Sequence, residues 1–374
     1  MELGSILQFL EHRSILVTGA TGFLAKIFTE KILRVQPNVK KLYLLLRASD
    51  TNSAMLRFNN EIMGKELFNV LKEKNGANLS TLIEEKNLGV KDLSLLEEML
   101  TEIDVVVNLA ANTNFDERYD VSLGLNTHGA IHVLNFSKKM KKLKIMVHVS
   151  TAYVSGEREG LIMENPCVMG ETLNGTHGLD IDVETKLIEE TLKQLDNFDE
   201  DSIKSAMIDL GLQSLAVGYG KGKITCFLGD PTIVVDVNIY HIGSSVSNPV
   251  LYAWLQSYGQ RHFTLHPWID RNGSPVFVGK GLQILNTVCC HYFQKTYLEQ
   301  CRKIKFVLRL IDLYAPYLFF KAFYDDMNTE KLRRATDKSG VETEMFYFDP
   351  KIINWDDYFM NTHIPGIVQR VFRN

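Results

Sequence analysis

Ser14-Ile15-Leu16-Val17-Thr18-Gly19-Ala20-Thr21-Gly22-Phe23-Leu24 decides the fold of this chain. An apolar run stops at a glycine-rich turn, and a helical pattern opens directly behind it, running to Val35. Glycines at such a turn let the backbone bend tightly and approach a pyrophosphate. The phosphates then lie against unpaired amides at the positive end of the helix. Gly19, Thr21, Gly22, Phe23 and Leu24 are therefore predicted to hold a dinucleotide. The spacing is Gly19-x-x-Gly22-x-x-Ala25, one glycine fewer than the common G-x-G-x-x-G form, so the reading rests on its context. Pro37 and Asn38 end the helix, and a second apolar strand, Lys40-Lys41-Leu42-Tyr43-Leu44-Leu45-Leu46, closes a βαβ unit. The competing reading of the same residues is an ordinary glycine turn in an α/β protein.

The second strand runs into Arg47. A site specific for NAD usually places an Asp or Glu there to accept from the ribose 2′-hydroxyl, whereas a guanidinium fork suits a 2′-phosphate. NADP, as NADPH, is the predicted cofactor. The alternative for Arg47 is a solvated cation at a strand end.

At 374 residues the chain can bury a sizeable core and hold more than one unit. Lys and Arg number 41 against 45 Asp and Glu, a formal net charge of -4, so the global balance predicts no nucleic-acid partner. Cys167, Cys226, Cys289, Cys290 and Cys301 form no C-x-x-C pair and stand in no metal-ligand spacing with histidine, which predicts reduced thiols, no metal and an intracellular setting. The start of the chain, interrupted by Glu11, His12 and Arg13, lacks the basic beginning and apolar centre of a secretory signal. The most apolar stretch, residues 306–321, is broken by Arg309, Asp312 and Pro316 and does not suit a membrane span. Its aromatic residues and the flanking Lys303, Lys305 and Lys321 would let it lie at a membrane interface as a peripheral contact. A buried pair of helices in a C-terminal domain is the preferred reading of the same residues.

Downstream, residues 51–99 read as a long, charged, helical region. The strand Asp104-Val105-Val106-Val107-Asn108-Leu109-Ala110-Ala111 follows, and its small terminal residues leave room for adenosine and ribose. Asn126-Thr127-x-Gly129 opens another helix, with Asn126 either capping it or holding strand geometry near the cofactor. Lys144-Ile145-Met146-Val147-His148-Val149-Ser150-Thr151-Ala152-Tyr153-Val154 then reads as a buried strand running into hydroxyl residues. This alternation predicts an α/β fold with a doubly wound parallel sheet. Hydroxyls at the carboxyl end of a central strand are placed to donate to an oxygen that gains charge as hydride arrives, which makes Thr151 the catalytic candidate with Ser150 behind it. The alternative is that both satisfy backbone groups in a strand-end turn. His148, inside the strand, reads as a satisfied core histidine.

Taken together, 18–26, the strand ending Leu44-Leu45-Leu46-Arg47, Asn108-Leu109-Ala110-Ala111-Asn112-Thr113-Asn114-Phe115 and 148–154 resemble the plant fatty acyl-CoA reductases, relatives of the extended short-chain dehydrogenases. Tyr314-Ala315-Pro316-Tyr317-Leu318-Phe319-Phe320-Lys321, and 348–358 through His363-Ile364-Pro365-Gly366, are similar to the family's C-terminal domain. The resemblance implies a Rossmann-type NADP-binding domain over 1–237 and a smaller, mainly helical reductase-type domain over 238–374. It implies hydride transfer from NADPH to a long-chain acyl-CoA thioester, loss of CoA, and a second reduction to the primary alcohol. The expected place is the cytosol or the cytosolic face of the endoplasmic reticulum.

The family is expected to supply a proton from Tyr-x-x-x-Lys on the helix after the Ser/Thr strand, four-residue spacing placing both side chains on one helical face. No such pair occurs from Tyr153 to Gln213. Gln213 passes directly into Ser214 where a catalytic helix and a further strand are expected, and a second abrupt join lies near 235–240, so the chain reads as a family member with internal segments absent. Three matches occur elsewhere. Tyr219 and Lys223 sit among glycines and read as a decoy, Tyr347 and Lys351 span Pro350, which breaks helical geometry, and Tyr317 and Lys321 suit a helix but lie far in sequence from the cofactor strands. Two readings stay open, a working reductase and a catalytically impaired nucleotide-binding relative. A sugar-nucleotide epimerase or dehydratase would account for the first half of the chain alone.

Overall fold

The apolar run before the glycine turn becomes the inside of a parallel sheet. The computed structural model describes residues 5–76, 93–114, 117–152, 159–166, 180–216, 237–266, 321–337 and 341–369. A short helix, α1 (Ile6–Leu10), leads into β1 (Ser14–Thr18), which is buried at every position. β1 pairs in parallel with β2 (Lys41–Leu44) on one side and β3 (Val105–Asn108) on the other, and β4 (Ile145–His148) lies beyond β3, in the order β2-β1-β3-β4.

Side-chain alternation divides the sheet between two cores. Ile15, Val17, Leu42, Leu44, Val105 and Val107 point to one face, where α2 (Phe23–Val35) contributes Ala25, Ile32 and Leu33. Leu16, Tyr43 and Val106 point to the other, against Met99, Ile103 and Met140. Strands covered on both faces read as unbroken apolar runs, which is why β1 and β3 lack a polar alternation.

Residues 51–75 are not one long helix. α3 (Thr51–Arg57), a π-helical turn (Phe58–Met63), a 3-10 turn (Glu66–Phe68) and α4 (Asn69–Asn75) follow one another, and Gly76 at φ +50° ends the series. Phe58, Ile62, Phe68 and Leu71 close the first core. α5 (Leu93–Glu102) precedes β3 and supplies Met99 to the second core.

β4 departs from the sequence reading. Expected as a buried central strand, it is the outermost strand of the four, with Ile145 46% and Val147 41% exposed. Met146 packs against the second core, whereas no β4 side chain joins the first, so the apolar row of Ile145 and Val147 belongs to neither core.

Between β3 and β4 the chain is helical. α6 (Tyr119–Ser122), a π-helical turn (Leu123–His128) and α7 (Gly129–Ser137) run end to end. α8 (Ile181–Gln194), capped by Asp180, and α9 (Glu200–Ala216) pack Ile188 and Met207 against Tyr119 and Leu123.

Two compact units result: residues 1–156, 165–239 and 330–347, and residues 157–164, 240–329 and 348–374. Each unit is assembled from separated segments, and a long-range link inside each accounts for that. β5 (Gly160–Ile162) pairs in parallel with β6 (Ala322–Tyr324), drawing 157–164 into the second unit. Glu342, buried, accepts from Ser5 Oγ and from the amides of Ile6 at 2.8 Å and Leu7 at 3.3 Å, tying 330–347 to α1 in the first.

The second unit holds α10 (Tyr252–Leu265), and α11 (Met327–Asp337) begins there. α12 (Val341–Met345) belongs to the first unit with Glu342. In the second unit α13 (Trp355–Asp357), a π-helical turn (Tyr358–His363) and α14 (Ile364–Ile367) form one run. Trp355 Nε1 donates to Asn248 O at 3.1 Å, and Tyr258 stacks on Phe359 at 5.2 Å between ring centres. Among the described residues no helix is long and apolar enough to cross a membrane. Residues 306–320 and all five cysteines lie outside the described residues.

Candidate nucleotide site at the strand ends

The glycine turn and the end of β3 meet backbone to backbone. Gly19 stands at φ +66°, a conformation L side chains rarely adopt, and a Cβ there would fall 2.8 Å from Ala110 Cα and Ala110 N. Gly22 donates its amide to Gly19 O at 2.8 Å, closing the turn into α2. α2 has no side-chain cap and no acidic residue in its first turn, so the amide end of a 13-residue helix faces outward unopposed. Phe23, 73% exposed, and Leu24, 51% exposed, flank it, and Thr21 is half-buried. A diphosphate fits a concave backbone cradle of this kind, which side chains would otherwise fill.

A buried polar chain fixes the strand ends beneath the cradle. Thr18, Asn108 and His148 share one register across β1, β3 and β4. Thr18 Oγ1 donates to Asn108 Oδ1 at 2.5 Å and accepts from the amides of Leu109 and Ala110 at 3.1 Å each. Asn108 Nδ2 lies 2.9 Å from His148 Nδ1, which places the acceptor at Nδ1 and the ring proton at Nε2. Burial pushes His148 below the usual histidine range, in keeping with a neutral ring. Thr18 thus folds the chain after β3 back toward Gly19. His148 is half-buried rather than in the core and is held by Asn108, and Thr18 carries a role the sequence reading does not assign. The signal was present in the sequence, since three apolar runs each end in a hydrogen-bonding residue.

Asn126 does not cap a helix. The helical run begins after Arg118, eight residues earlier, and Asn126 lies inside its π-helical turn. Its carboxamide pairs with the backbone of Asn112, accepting from the amide at 2.7 Å and donating to the carbonyl at 3.0 Å. That two-point bond holds the segment leaving β3 in place. Asn112 Nδ2 in turn donates to Glu117 at 3.0 Å, and this bond, with the Arg118 amide, holds the Glu117 carboxyl below its ordinary range.

Arg47 lies three residues beyond β2, which ends at Leu44 rather than running to 46. It is exposed, and its guanidinium enters no ion pair among the described residues; its carbonyl accepts from Arg57 Nη1 at 2.6 Å. The acid nearest in sequence, Asp50, is committed to α3. The Ser53 amide, with the Ser49 and Ser53 hydroxyls, lowers its carboxyl to about 2.

Ser150 and Thr151 follow β4 directly, Ser150 exposed and Thr151 half-buried. Val149 donates its amide to Asn108 O at 3.0 Å, carrying the pairing one residue past the strand and bringing the hydroxyl pair to the same sheet end as the glycine turn. Tyr219, Lys223 and Tyr317 lie outside the described residues. Tyr347 lies in no regular element and Lys351 sits in a 3-10 turn begun by Pro350, so these two share no helix. Among the described residues no group of three or more His, Cys, Asp or Glu side chains could hold a metal.

The model of the NAD-binding domain of male sterility proteins matches residues 17–226, and that of their Sterile domain matches residues 280–374. An alcohol-forming fatty acyl-CoA reductase from Simmondsia chinensis is 44% identical, covering 99% of this chain and 99% of its own length. Its alignment extends over 489 positions, 115 more than the 374 residues here. Fatty acyl-CoA reductase 1 from Arabidopsis thaliana is 39% identical, covering 98% and 99%. Among solved structures, the terminal reductase domain of the myxalamid PKS-NRPS pathway is 23% identical, with a TM-score of 0.35 over 49% of this chain and 45% of that one. With a domain model matched over more than half its length and relatives aligned end to end, the chain belongs to the male sterility family of plant fatty acyl-CoA reductases.

Proposed function

We propose that this protein reduces a long-chain fatty acyl-CoA to the primary alcohol with NADPH. The observation that carries this reading is end-to-end similarity to an alcohol-forming reductase, with the glycine turn, β3 end and hydroxyl pair all gathered at one sheet end. The bound nicotinamide nucleotide would supply hydride. Gly19, Gly22 and the first-turn amides of α2 hold its diphosphate, and Ala110 leaves space beside them. Arg47, with no competing acid, receives the 2′-phosphate and selects NADP over NAD.

Thr151, with Ser150 beside it, donates a hydrogen bond to the substrate oxygen as charge develops there. In the first reduction the thioester carbon gains hydride and its oxygen a proton, and the hemithioacetal collapses to aldehyde as CoA leaves as the thiol. In the second, the aldehyde carbon gains hydride and the oxygen a proton, giving the alcohol. No Tyr-x-x-x-Lys pair stands between 153 and 213, so the hydroxyl pair carries the donor role. The Simmondsia relative aligns over 489 positions, 115 more than the 374 residues here, which supports the reading that internal segments are absent. The deciding assay supplies long-chain acyl-CoA and NADPH to purified protein and follows primary alcohol by mass spectrometry. NADPH-dependent alcohol is the expected product, and its absence from folded, nucleotide-binding protein overturns the reading.

A further inference from the structure

The loop between α7 and β4 reads Lys138-Lys139-Met140-Lys141-Lys142-Leu143-Lys144, five lysines in seven residues on a chain whose net charge is -4. All five lysines are exposed, whereas Met140 is buried in the second core. Backbone bonds clamp the loop. Lys141 N donates to Leu100 O and Lys144 N to Asp104 O, both at 2.8 Å, so the cations are displayed on a fixed turn.

Because the four strands are parallel, this loop lies at the sheet end opposite the nucleotide cradle. Three acids there are already engaged. Asp104 holds Arg13 at 3.0 Å, Glu102 holds Lys40 at 3.0 Å, and Glu98 binds Lys41. Among the described residues Lys139, Lys141, Lys142 and Lys144 enter no ion pair. The helix dipole accounts for a cation or two in the last turn of α7, but its reach ends there, before Lys141. Half-exposed Ile145 follows the last lysine and adds an apolar neighbour.

We propose that this loop docks the protein on an anionic membrane surface, the lysines meeting lipid phosphates and carboxylates. Lysines are compact point charges suited to a diffuse anionic surface, and the loop offers neither the arginine forks nor the aromatic platforms with which proteins read nucleic acid. The choice of a lipid surface rests on the reductase reading, since its long-chain substrate and product partition into bilayers. The geometry turns the nucleotide cradle away from the docked end.

The test is co-sedimentation of the full chain with phosphatidylcholine vesicles, with and without phosphatidylserine. Binding is expected with phosphatidylserine alone and falls as salt rises. Each lysine near such a surface contributes roughly fivefold in affinity, so the combined Lys139→Gln, Lys141→Gln, Lys142→Gln and Lys144→Gln variant should bind on the order of a hundredfold or more weakly while taking up NADPH normally. The same four positions changed to Arg should keep binding. If the fourfold Gln variant does not fold, Lys141→Gln with Lys142→Gln should still lose on the order of tenfold. Equal binding to neutral vesicles, unchanged binding by folded Gln variants, or tighter capture by single-stranded RNA than by phosphatidylserine vesicles overturns the proposal. Vesicle binding without alcohol formation counts against the reductase reading alone, and alcohol formation without vesicle binding against the docking loop alone.

Discussion

Gly19 and Ala110 come so close that the first atom of any side chain on Gly19 would sit 2.8 Å from the Ala110 backbone. This contact joins the turn proposed to receive the diphosphate to the end of β3. Gly19→Ala is therefore strained twice, by a left-handed φ and by a fixed backbone neighbour, for a combined cost of roughly 2 to 5 kcal/mol. The expected outcome is a lower urea midpoint and no saturable NADPH uptake by fluorescence titration. Unchanged NADPH affinity would remove the cradle from the site.

Arg47→Ala should weaken NADPH by roughly tenfold to a hundredfold, the range for a lost hydrogen bond to a charged group, and leave NADH affinity unchanged. Titration with each nucleotide checks this. Equal losses for both would show that Arg47 acts on shared parts of the cofactor.

Thr151→Ala should lower kcat by roughly 10² to 10³ with little change in NADPH affinity, as removal of an oxyanion donor does. Ser150→Ala should have the smaller effect. The alcohol assay reads both, and the opposite ranking would exchange their roles.

His148 gives a pH dependence whose sign follows from its lowered value. The folded protein holds the ring neutral, whereas the unfolded chain takes up a proton near pH 6.5, so the unfolded state binds more protons below that pH. Stability should be full above about pH 6.5 and decline as pH falls toward the folded value. Urea midpoints at successive pH values should show this slope, and His148→Gln should flatten it. An identical slope in the variant would assign the dependence to other groups.

Glu342 is opposed by burial, yet the Ser5 hydroxyl and the Ile6 and Leu7 amides outweigh that and leave its carboxyl below the ordinary range. Its contribution is present above the unfolded carboxylate value near 4.3 and is lost as pH falls through the folded value. Glu342→Gln should cost about 1 kcal/mol at neutral pH, the usual worth of a helix cap, with the gap to wild type closing in acid. A gap that persists in acid would mean that Gln costs packing rather than charge.

The sequence alone determined the local elements around the nucleotide. An apolar run, a glycine pair and a helical period place β1 and α2 at their observed bounds, because backbone sterics and side-chain alternation act within a few residues. The tertiary structure decided what depends on neighbours distant in the chain. Asn126 pairs with Asn112 instead of capping a helix, Thr18 ties β1 to β3, and Glu342 reaches back to α1. Ile145 and Val147 look like core residues in sequence yet lie exposed, since burial of a strand depends on which segments come to cover it. Alternation tells which side chains share a face; only the folded chain tells whether anything packs on that face.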